Sequence, residues 1–365
     1  MRSSSRDGQK KPDRVAFNQS RVRTFLRCEK AYYFKYDYPV EILGKLGELH
    51  PKKLSEGLRK GGWMHKLMQA HWLYISGQGE GWEKEHKLLS QRWERSMFDE
   101  ERELYDDLPT ECARLMTRYL HHYRADDEIF TIVRTAKGSP AVEFTVEVPL
   151  KKYGLGEHVF KGTIDILVND LEYGGMWIRD AKWVRSIPGP DERMMSPQNI
   201  MYVWALRKLG YDVRGFIYDY GRTKSPAEPY ILQNGSVTTR KRIDTDVHTY
   251  LRAIKKAHGK TWKSYARTVY KDKLDELRAR ENLWFRRERI PVEGPRLRAG
   301  FQEYIIASKR ILERGEPIRN YIYNCKWNCD FHEPCVAQFQ GLDITRLMKT
   351  QYRVEKERYE IQEID

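Results

Sequence analysis

The sequence predicts an α/β protein in which a small sheet bearing acidic residues is enclosed by helices. The hydrophobic pattern changes from a helical period to strict alternation at residues 142–148. Two further strand-like runs follow at 162–168 and 176–183, and a helix separates them from a last run at 213–220. Strands and a helix in this order predict a compact α/β core over residues 140–222.

Helical patterns occupy most of the chain before this core. Ser20 is a suitable N-cap for a helix that carries Cys28 near its end, within residues 15–40. Further helices are expected over 61–73 and, in a long charge-rich stretch with periodic Leu, Met and Trp, over 82–123. We therefore expect a helical insertion over residues 55–135.

The helix within the core has clear boundary signals. Ser196 suits the N-cap, Pro197 suits the first helical position, and Gly210 suits the end. Gln198 and Tyr202 are separated by four positions, so they share one face of this helix about 5–6 Å apart. The sequence thus places two polar side chains together beside the acidic strands.

Acidic residues on two of the strands suggest a metal site. Alternate residues of a strand share a face, so Asp180 and Lys182 should project together, roughly 7 Å apart. If the strands pair, Asp165 can join them. Two carboxylates and one lysine suit the hydrolysis of a phosphodiester with Mg²⁺ or Mn²⁺. An Asp/Lys pair within one strand also occurs by chance, so its neighbours must support it.

The five cysteines are unevenly distributed. Three of them form a C-terminal trio, which comprises Cys325, Cys329 and Cys335. Cys28 lies far upstream, and Cys112 falls in a helical pattern that predicts a buried or incidental thiol. One distant cysteine and a trio favour an iron–sulfur cluster. A zinc site, with His332 as a further ligand, is the alternative.

No segment indicates export or membrane insertion. Residues 1–11 are polar and basic and have no apolar core of the kind found in secretory leaders. No apolar run approaches the roughly 18 residues of a membrane span. We expect a cytoplasmic protein with no membrane partner, and because such proteins rarely use disulfides, clustered cysteines indicate metal ligation. Residues 1–14 are expected to form a disordered basic tail.

The chain has a net charge of +14, and much of the excess lies in residues 252–298. This segment contains 15 Lys and Arg against 6 Asp and Glu, with Trp and Tyr residues interleaved. Such a composition suits a nucleic-acid backbone with bases stacked beside it, and we expect contacts from Arg286, Arg287 and Arg289. The alternative is a solvated amphipathic helix whose aromatic side chains face the core. A basic helical region is expected over residues 245–315.

Several short motifs occur in a fixed order along nearly the whole chain. They are Cys28; Gly61 through His65; Glu143; Gly162 through Asp165; Asp180 through Lys182; Gln198 through Tyr202; and Cys325, Cys329 and Cys335. This order resembles the PD-(D/E)xK nuclease superfamily in its RecB-like branch with a cysteine-ligated iron–sulfur cluster. That branch includes exonucleases of CRISPR adaptation and many phage-encoded exonucleases. The chain departs from the common pattern in having three residues, rather than two, between Cys325 and Cys329.

The resemblance implies a restriction-endonuclease-like central mixed sheet flanked by helices, with large helical insertions and a C-terminal iron–sulfur substructure over residues 319–341. The implied ligands of Mg²⁺ or Mn²⁺ are His65, Glu143, Asp165 and Asp180. The implied catalytic residues are Asp165, Asp180, Lys182, Gln198 and Tyr202. The implied ligands of a 4Fe–4S cluster are Cys28, Cys325, Cys329 and Cys335. Glu147 is an alternative to Glu143, and His71 and His122 are interpreted as core residues.

The activity implied is that of a divalent-metal-dependent deoxyribonuclease. Its expected role is that of an exonuclease on single strands or duplex ends in phage or CRISPR-type DNA processing, recombination or repair, with proteins of recombination or adaptation as partners. One nuclease domain is expected over residues 15–341, followed by a tail over 342–365. A non-catalytic nucleic-acid-binding protein with a zinc-stabilised or degenerate nuclease fold is the alternative. The three residues Asp165, Asp180 and Lys182 argue against decay of the site.

Overall fold

A seven-stranded mixed sheet forms the centre of the structure, a computed structural model that describes residues 14–53, 56–96, 105, 107–280, 284–321 and 325–355. The strands of this sheet and of a second, two-stranded sheet formed by β2 and β9 are β1 (Ala16–Phe17), β2 (Glu48–Pro51), β3 (Phe130–Ile132), β4 (Val142–Pro149), β5 (Val159–Asp170), β6 (Met176–Val184), β7 (Val213–Arg222), β8 (Phe285–Pro291) and β9 (Tyr352–Glu355). The main sheet has the order β1–β5–β6–β7–β8, and β3 and β4 also pair with β5. The β1–β5 and β6–β7 pairs are parallel and the others antiparallel.

Helices flank this sheet, which confirms the predicted α/β class with a mixed central sheet. They are α1 (Gln19–Arg27), α2 (Glu29–Tyr32), α3 (Tyr38–Glu41), α4 (Glu56–Ile75), α5 (Trp82–Ser96), α6 (Leu108–His122), α7 (Asp126–Ile129), α8 (Pro190–Met194), α9 (Pro197–Lys208), α10 (Val247–His258), α11 (Trp262–Arg267), α12 (Lys271–Ala279), α13 (Gly294–Glu313), α14 (Cys325–Asn328), α15 (His332–Phe339) and α16 (Thr345–Gln351). A π-helical turn, Tyr33–Asp37, lies between α2 and α3, and 3₁₀ turns occur at Lys151–Tyr153 and Gly259–Thr261. Among the described residues, every helix is too short or too polar to cross a membrane.

The two faces of the sheet bury different helices, because alternate residues of each strand point to opposite sides. Ile178 of β6 and Phe216 of β7 pack on one side, in the core that contains residues of α9 and α13. Trp177 and Ile217 pack on the other side, against α4 and α6. The metal-site motifs on β6 and on α9 therefore meet on one face, while α4 approaches from the other.

The C-terminal segment differs from the tail expected over residues 342–365. Helix α16 and strand β9 are ordered elements, and β9 pairs antiparallel with β2 from Glu48↔Glu355 to Pro51↔Tyr352. Met348 and Tyr352 pack in a small core with Phe331. A strand of four residues carries too little alternation to be recognised in the sequence. Residues 356–365, and all of the predicted basic tail except Arg14, lie outside the described residues.

The basic region expected to be helical over 245–315 also contains a strand. Helices α10, α11 and α12 form a small helical lobe, defined here as residues 237–280, around a core of its own that includes Tyr250, Ile254 and Tyr270. The chain then enters β8, which pairs antiparallel with β7 before α13 begins. The long helical region predicted over 82–123 is likewise divided into α5 and α6, and residues 97–104 and 106 between them lie outside the described ranges.

Candidate metal centre

A fork between two strands creates the site. Strand β5 pairs with β6 only from Ile166↔Arg179 to Asn169↔Met176, and β6 then separates from it. Asp165 is the next residue of β5, and its Oδ2 atom accepts a hydrogen bond from the N–H of Ala181 at 3.1 Å. The carboxylate thus takes up a backbone donor of β6 beyond the point where β5 pairs with it, which holds Asp165 in the fork.

Asp180 and Lys182 share one face of β6, as the strand period predicted. The Oδ2 atom of Asp180 lies 2.7 Å from the Nζ atom of Lys182. Its Oδ1 atom accepts a hydrogen bond of 2.7 Å from the side-chain amide of Gln198. Gln198 stands in the first turn of α9, behind Ser196 at the N-cap position and Pro197. Both oxygens of a fully buried carboxylate are therefore fixed in orientation.

His65 and Glu143 complete the cluster from two other elements. The Nε2 atom of His65 on α4 lies 2.6 Å from Oε1 of Glu143, and its Nδ1 atom lies 3.6 Å from Oδ2 of Asp165. One ligand atom from each of these three residues lies within 4.8 Å of the other two. Glu147, the alternative to Glu143, instead forms ion pairs with Arg14 and Lys161. The structure therefore brings His65 and Glu143, rather than Glu147, to Asp165.

The backbone of Glu143 is unusual for a strand residue. Its φ angle is +50°, in the left-handed region that residues other than glycine rarely occupy. In the register of β4 with β5, Val142 pairs with Ile166 and Phe144 pairs with Ile164, and Glu143 between them is unpaired with β5. This local distortion turns the glutamate side chain towards His65.

The electrostatics of the cluster suit a bound cation. Burial raises the pKa of Asp165, and burial together with the Asp165 charge raises the pKa of Asp180 to about 6. Burial alone would lower the pKa of His65, but Asp165 and Glu143 raise it to about 9. The carboxylates of Asp165 and Asp180 are buried close to each other and repel one another. A divalent cation bound between them would relieve that repulsion. Carboxylate oxygens and one imidazole nitrogen form a donor set that fits Mg²⁺ or Mn²⁺.

Tyr202 lies one turn after Gln198 and is held by packing. A Cβ atom added to Gly162 would meet Cε1 of the Tyr202 ring at 2.6 Å. The ring also contacts Phe160 and Phe216, with centroids 6.2 and 6.4 Å away. The absence of a side chain at Gly162 therefore allows α9 to approach β5 closely.

Sequence reasoning missed Tyr218. This residue of β7 is paired in register with Asp180, and its buried hydroxyl has Ser196, Asp180 and Lys182 among its polar neighbours. The only signal that could have found it is the parallel register of β6 with β7, which the sequence does not specify.

The four cysteines of the motif order come together away from the metal centre. Cys28 has an extended backbone between α1 and α2, rather than a helical one, and accepts a hydrogen bond of 3.4 Å from the N–H of Asn320. All four line a single cavity of about 660 Å³; they are Cys28, Cys325, Cys329 and Cys335. Cys112 is buried in the other core, where burial raises its pKa to about 12.

Two of the three arginines expected to contact nucleic acid are half-buried and held in ion pairs within the protein, and their contact with nucleic acid stays a prediction. Arg287 contacts Oδ1 of Asp126 at 2.6 Å and Oδ2 of Asp219 at 2.9 Å. Arg289 contacts Oδ2 of Asp170 at 2.5 Å and a second carboxylate at 3.0 Å. Their position on β8 directs them to acidic residues of the sheet and of α7. Arg286 is exposed, and its role in nucleic-acid contact remains a prediction.

Comparison with known proteins agrees with this geometry. A family model described as the PD-(D/E)XK nuclease superfamily matches residues 16–291, which include the whole fork and the central sheet. No curated protein matched the sequence. Nucleases of this superfamily use divalent metals, and the His65–Glu143–Asp165 group could bind one. Because the match covers well over half of the chain, the protein belongs to the PD-(D/E)XK nuclease superfamily.

Proposed function

We propose that the protein is a deoxyribonuclease that requires Mg²⁺ or Mn²⁺ and acts as an exonuclease on single strands or duplex ends. The observation that carries the proposal is the convergence of His65, Glu143 and Asp165 in the strand fork, next to Asp180 and Lys182. His65, Glu143, Asp165 and Asp180 would hold the metal.

Each neighbouring residue has a distinct task in this proposal. When bound, the metal supplies a water of lowered pKa and neutralises charge on the phosphate. The Lys182 ammonium group, held by Asp180 at 2.7 Å, is placed to stabilise negative charge that develops on the scissile phosphate. The Gln198 amide fixes Asp180, and Tyr202 fixes the distance between α9 and β5. These contacts preorganise the site before DNA arrives.

We further propose that the chain belongs to the RecB-like branch and that its four-cysteine cavity holds a 4Fe–4S cluster. Four thiols that line one cavity support ligation. One distant cysteine and a C-terminal trio favour a cluster over a single zinc ion.

The test of cleavage uses protein purified without oxygen and incubated with Mn²⁺. Linear DNA labelled at either end, as single strand and as duplex, is compared with closed circular single-stranded DNA. An exonuclease releases short products from one labelled end and leaves the circle intact. Cutting of the circular DNA would show that the protein is an endonuclease rather than an exonuclease. DNA binding without any cleavage would favour the non-catalytic alternative.

A further inference from the structure

The outer surface of the helical lobe carries a set of exposed cations. Residues 247–271 contain seven Lys and Arg and no Asp or Glu. The seven are Arg252, Lys255, Lys256, Lys260, Lys263, Arg267 and Lys271. All are exposed, and within the described part of the chain none has a carboxylate oxygen at ion-pair distance.

The acidic residues just before this stretch are used where the lobe joins the sheet. Asp246 binds Arg118 of α6 in a short ion pair. The Oδ2 atom of Asp244 lies 2.9 Å from Nη2 of Arg222 and 3.2 Å from Nζ of Lys224. These carboxylates fix the position of the lobe and leave the charge of its outer surface unbalanced.

Helix α12 of the same lobe is balanced, which shows that the imbalance is local. Lys273 lies 2.9 Å from Glu276, and Arg278 lies 2.8 Å from Asp275. Within residues 247–280 the surplus of positive charge thus lies in α10, the following 3₁₀ turn, α11 and the first residue of α12.

The helices that carry the cations are packed against each other. Tyr250 and Ile254 turn one face of α10 into the core of the lobe, so Arg252, Lys255 and Lys256 occupy the opposite face, three and four positions apart. His258 at the end of α10 stacks on Tyr265 of α11, with ring centroids 3.8 Å apart and planes 7° apart. This contact couples the two helices into one surface.

The lobe is attached at the end of the sheet that carries the catalytic lysine. Strand β7 ends at Arg222, which pairs with Val184, and Lys182 pairs with Tyr220 two positions earlier. The chain returns from the lobe at Trp284, whose backbone carbonyl accepts the N–H of Arg222 and whose indole N–H donates to the carbonyl of Lys224.

We propose that the surface formed by α10 and α11 binds the backbone of the DNA strand that enters the strand fork. The inference rests on the proposed function for the identity of the polymer. A single phosphate ion could engage only one or two cations, whereas seven cations along two coupled helices suit a chain of phosphates. Unlike Arg287 and Arg289, which pair with carboxylates, the cations of this surface have no carboxylate at ion-pair distance among the described residues.

The test compares two full-length variants that each remove four positive charges. The lobe variant carries Lys255→Gln, Lys256→Gln, Lys263→Gln and Arg267→Gln, and the control variant carries Lys84→Gln, Lys87→Gln, Arg92→Gln and Arg95→Gln on α5. Anisotropy of a labelled single-stranded oligonucleotide, in EDTA to prevent cleavage, gives the affinity over a range of KCl concentrations. Thermal unfolding verifies that both variants are folded.

We expect the lobe variant to have a log affinity versus log salt slope shallower by about 3, since each phosphate contact contributes about 0.7 for single strands. The control variant should keep the wild-type slope. An equal slope in the wild type and the lobe variant overturns the inference, as does binding of anionic lipid vesicles without binding of DNA. If DNA binds through the lobe and is never cleaved, this surface stands and the proposed nuclease activity fails. If DNA is cleaved and the lobe variant binds DNA with the wild-type salt dependence, the proposed nuclease activity stands and this surface fails.

Discussion

The Nε2 atom of His65 and the Oε1 atom of Glu143 lie 2.6 Å apart because Glu143 leaves the strand conformation. Every other described residue with a positive φ angle is a glycine. Side chains in this region cost about 1–3 kcal/mol of backbone strain. The candidate metal centre therefore contains the one such strained position in the described part of the chain, and the strained backbone places the Glu143 carboxylate beside His65.

Replacement of Glu143 should separate stability from activity. Glu143→Gly and Glu143→Ala both remove the carboxylate, so both should lose most of the cleavage activity. Only glycine relieves the left-handed backbone, so Glu143→Gly should be more stable than Glu143→Ala by about 1 kcal/mol. Urea unfolding of both variants measures the difference. Equal stability, or higher stability of the alanine variant, would contradict the strain.

Replacement of the proposed catalytic groups should slow cleavage strongly without abolishing DNA binding. We expect Asp180→Asn and Lys182→Ala to slow cleavage by at least about 100-fold, because a preorganised charge next to the reacting phosphate is lost. Glu147→Gln is the matched control, since Glu147 lies on the same strand as Glu143 but contacts Arg14 and Lys161. Cleavage rates on end-labelled DNA with Mn²⁺ provide the measurement. A wild-type cleavage rate for Asp180→Asn would show that the catalytic site does not lie in the strand fork.

Local sequence rules predicted the parts of the site that depend on one element. Strand alternation placed Asp180 and Lys182 on one face, and the helix boundary signals placed Gln198 near the start of α9. The fork itself could not be predicted, because it depends on where β5 and β6 stop pairing. The choice of Glu143 over Glu147 depends on a backbone angle that a glutamate rarely adopts.

The basic region shows what composition alone could not predict about the partners of its arginines. Arg287 and Arg289 look like surface cations in the sequence, but long-range carboxylates on α7, β5 and β7 bind them. The sequence of β8 has almost no apolar alternation because ion pairs replace apolar contacts along this edge strand. Tertiary partners of charged residues are not encoded in local spacing, so the strand was interpreted as helix.

A side chain at Gly162 should disturb the site through Tyr202. The added Cβ atom would lie 2.6 Å from the ring, so Gly162→Ala must displace α9 or β5. We expect a loss of about 1–3 kcal/mol in the free energy of unfolding, as for overpacked cores, and slower cleavage because Gln198 moves with the helix. The cost should be smaller in a Tyr202→Leu background, which a double-mutant cycle measures. An unchanged cost would show that another contact is responsible.

Acid should weaken the protein through a buried charge cluster on the face opposite α9. Burial alone would raise the pKa of Asp219, but the Arg287 and Arg179 guanidinium groups lower it. The carboxylate therefore contributes stability that is fully present above its unfolded pKa of about 3.9 and is lost as pH falls through the lower folded value. Asp219→Asn leaves two buried arginines undercompensated, so we expect a loss of about 3 kcal/mol or more at neutral pH.

The pH dependence of this loss is the discriminating measurement. The difference in unfolding free energy between wild type and Asp219→Asn should be constant at neutral pH and should narrow below about pH 4. Chemical denaturation of both proteins at a series of pH values measures this difference. A difference that stays constant into acid would show that Asp219 does not hold its charge through the arginines.

The four-cysteine cavity should stabilise the whole protein, because its ligands join the two ends of the sequence. Cys28 follows α1, which packs on the central sheet, whereas the trio lies in the C-terminal segment beyond α13. A cluster bound between them closes a very long loop, and its binding free energy becomes folding free energy. Cys28→Ser should therefore lower the unfolding temperature of the entire chain, including the nuclease core. Cys112→Ala is the matched control; alanine is chosen because serine would bury an unpaired hydroxyl in the apolar surroundings of Cys112.

Metal content separates this stabilisation from an effect of the mutation alone. Protein purified without oxygen should be brown and should contain iron and acid-labile sulfide in equal proportion, and Cys28→Ser should lose both. Cys112→Ala should keep both and unfold close to the wild-type temperature. A colourless, zinc-loaded protein with full activity and full stability would refute the cluster.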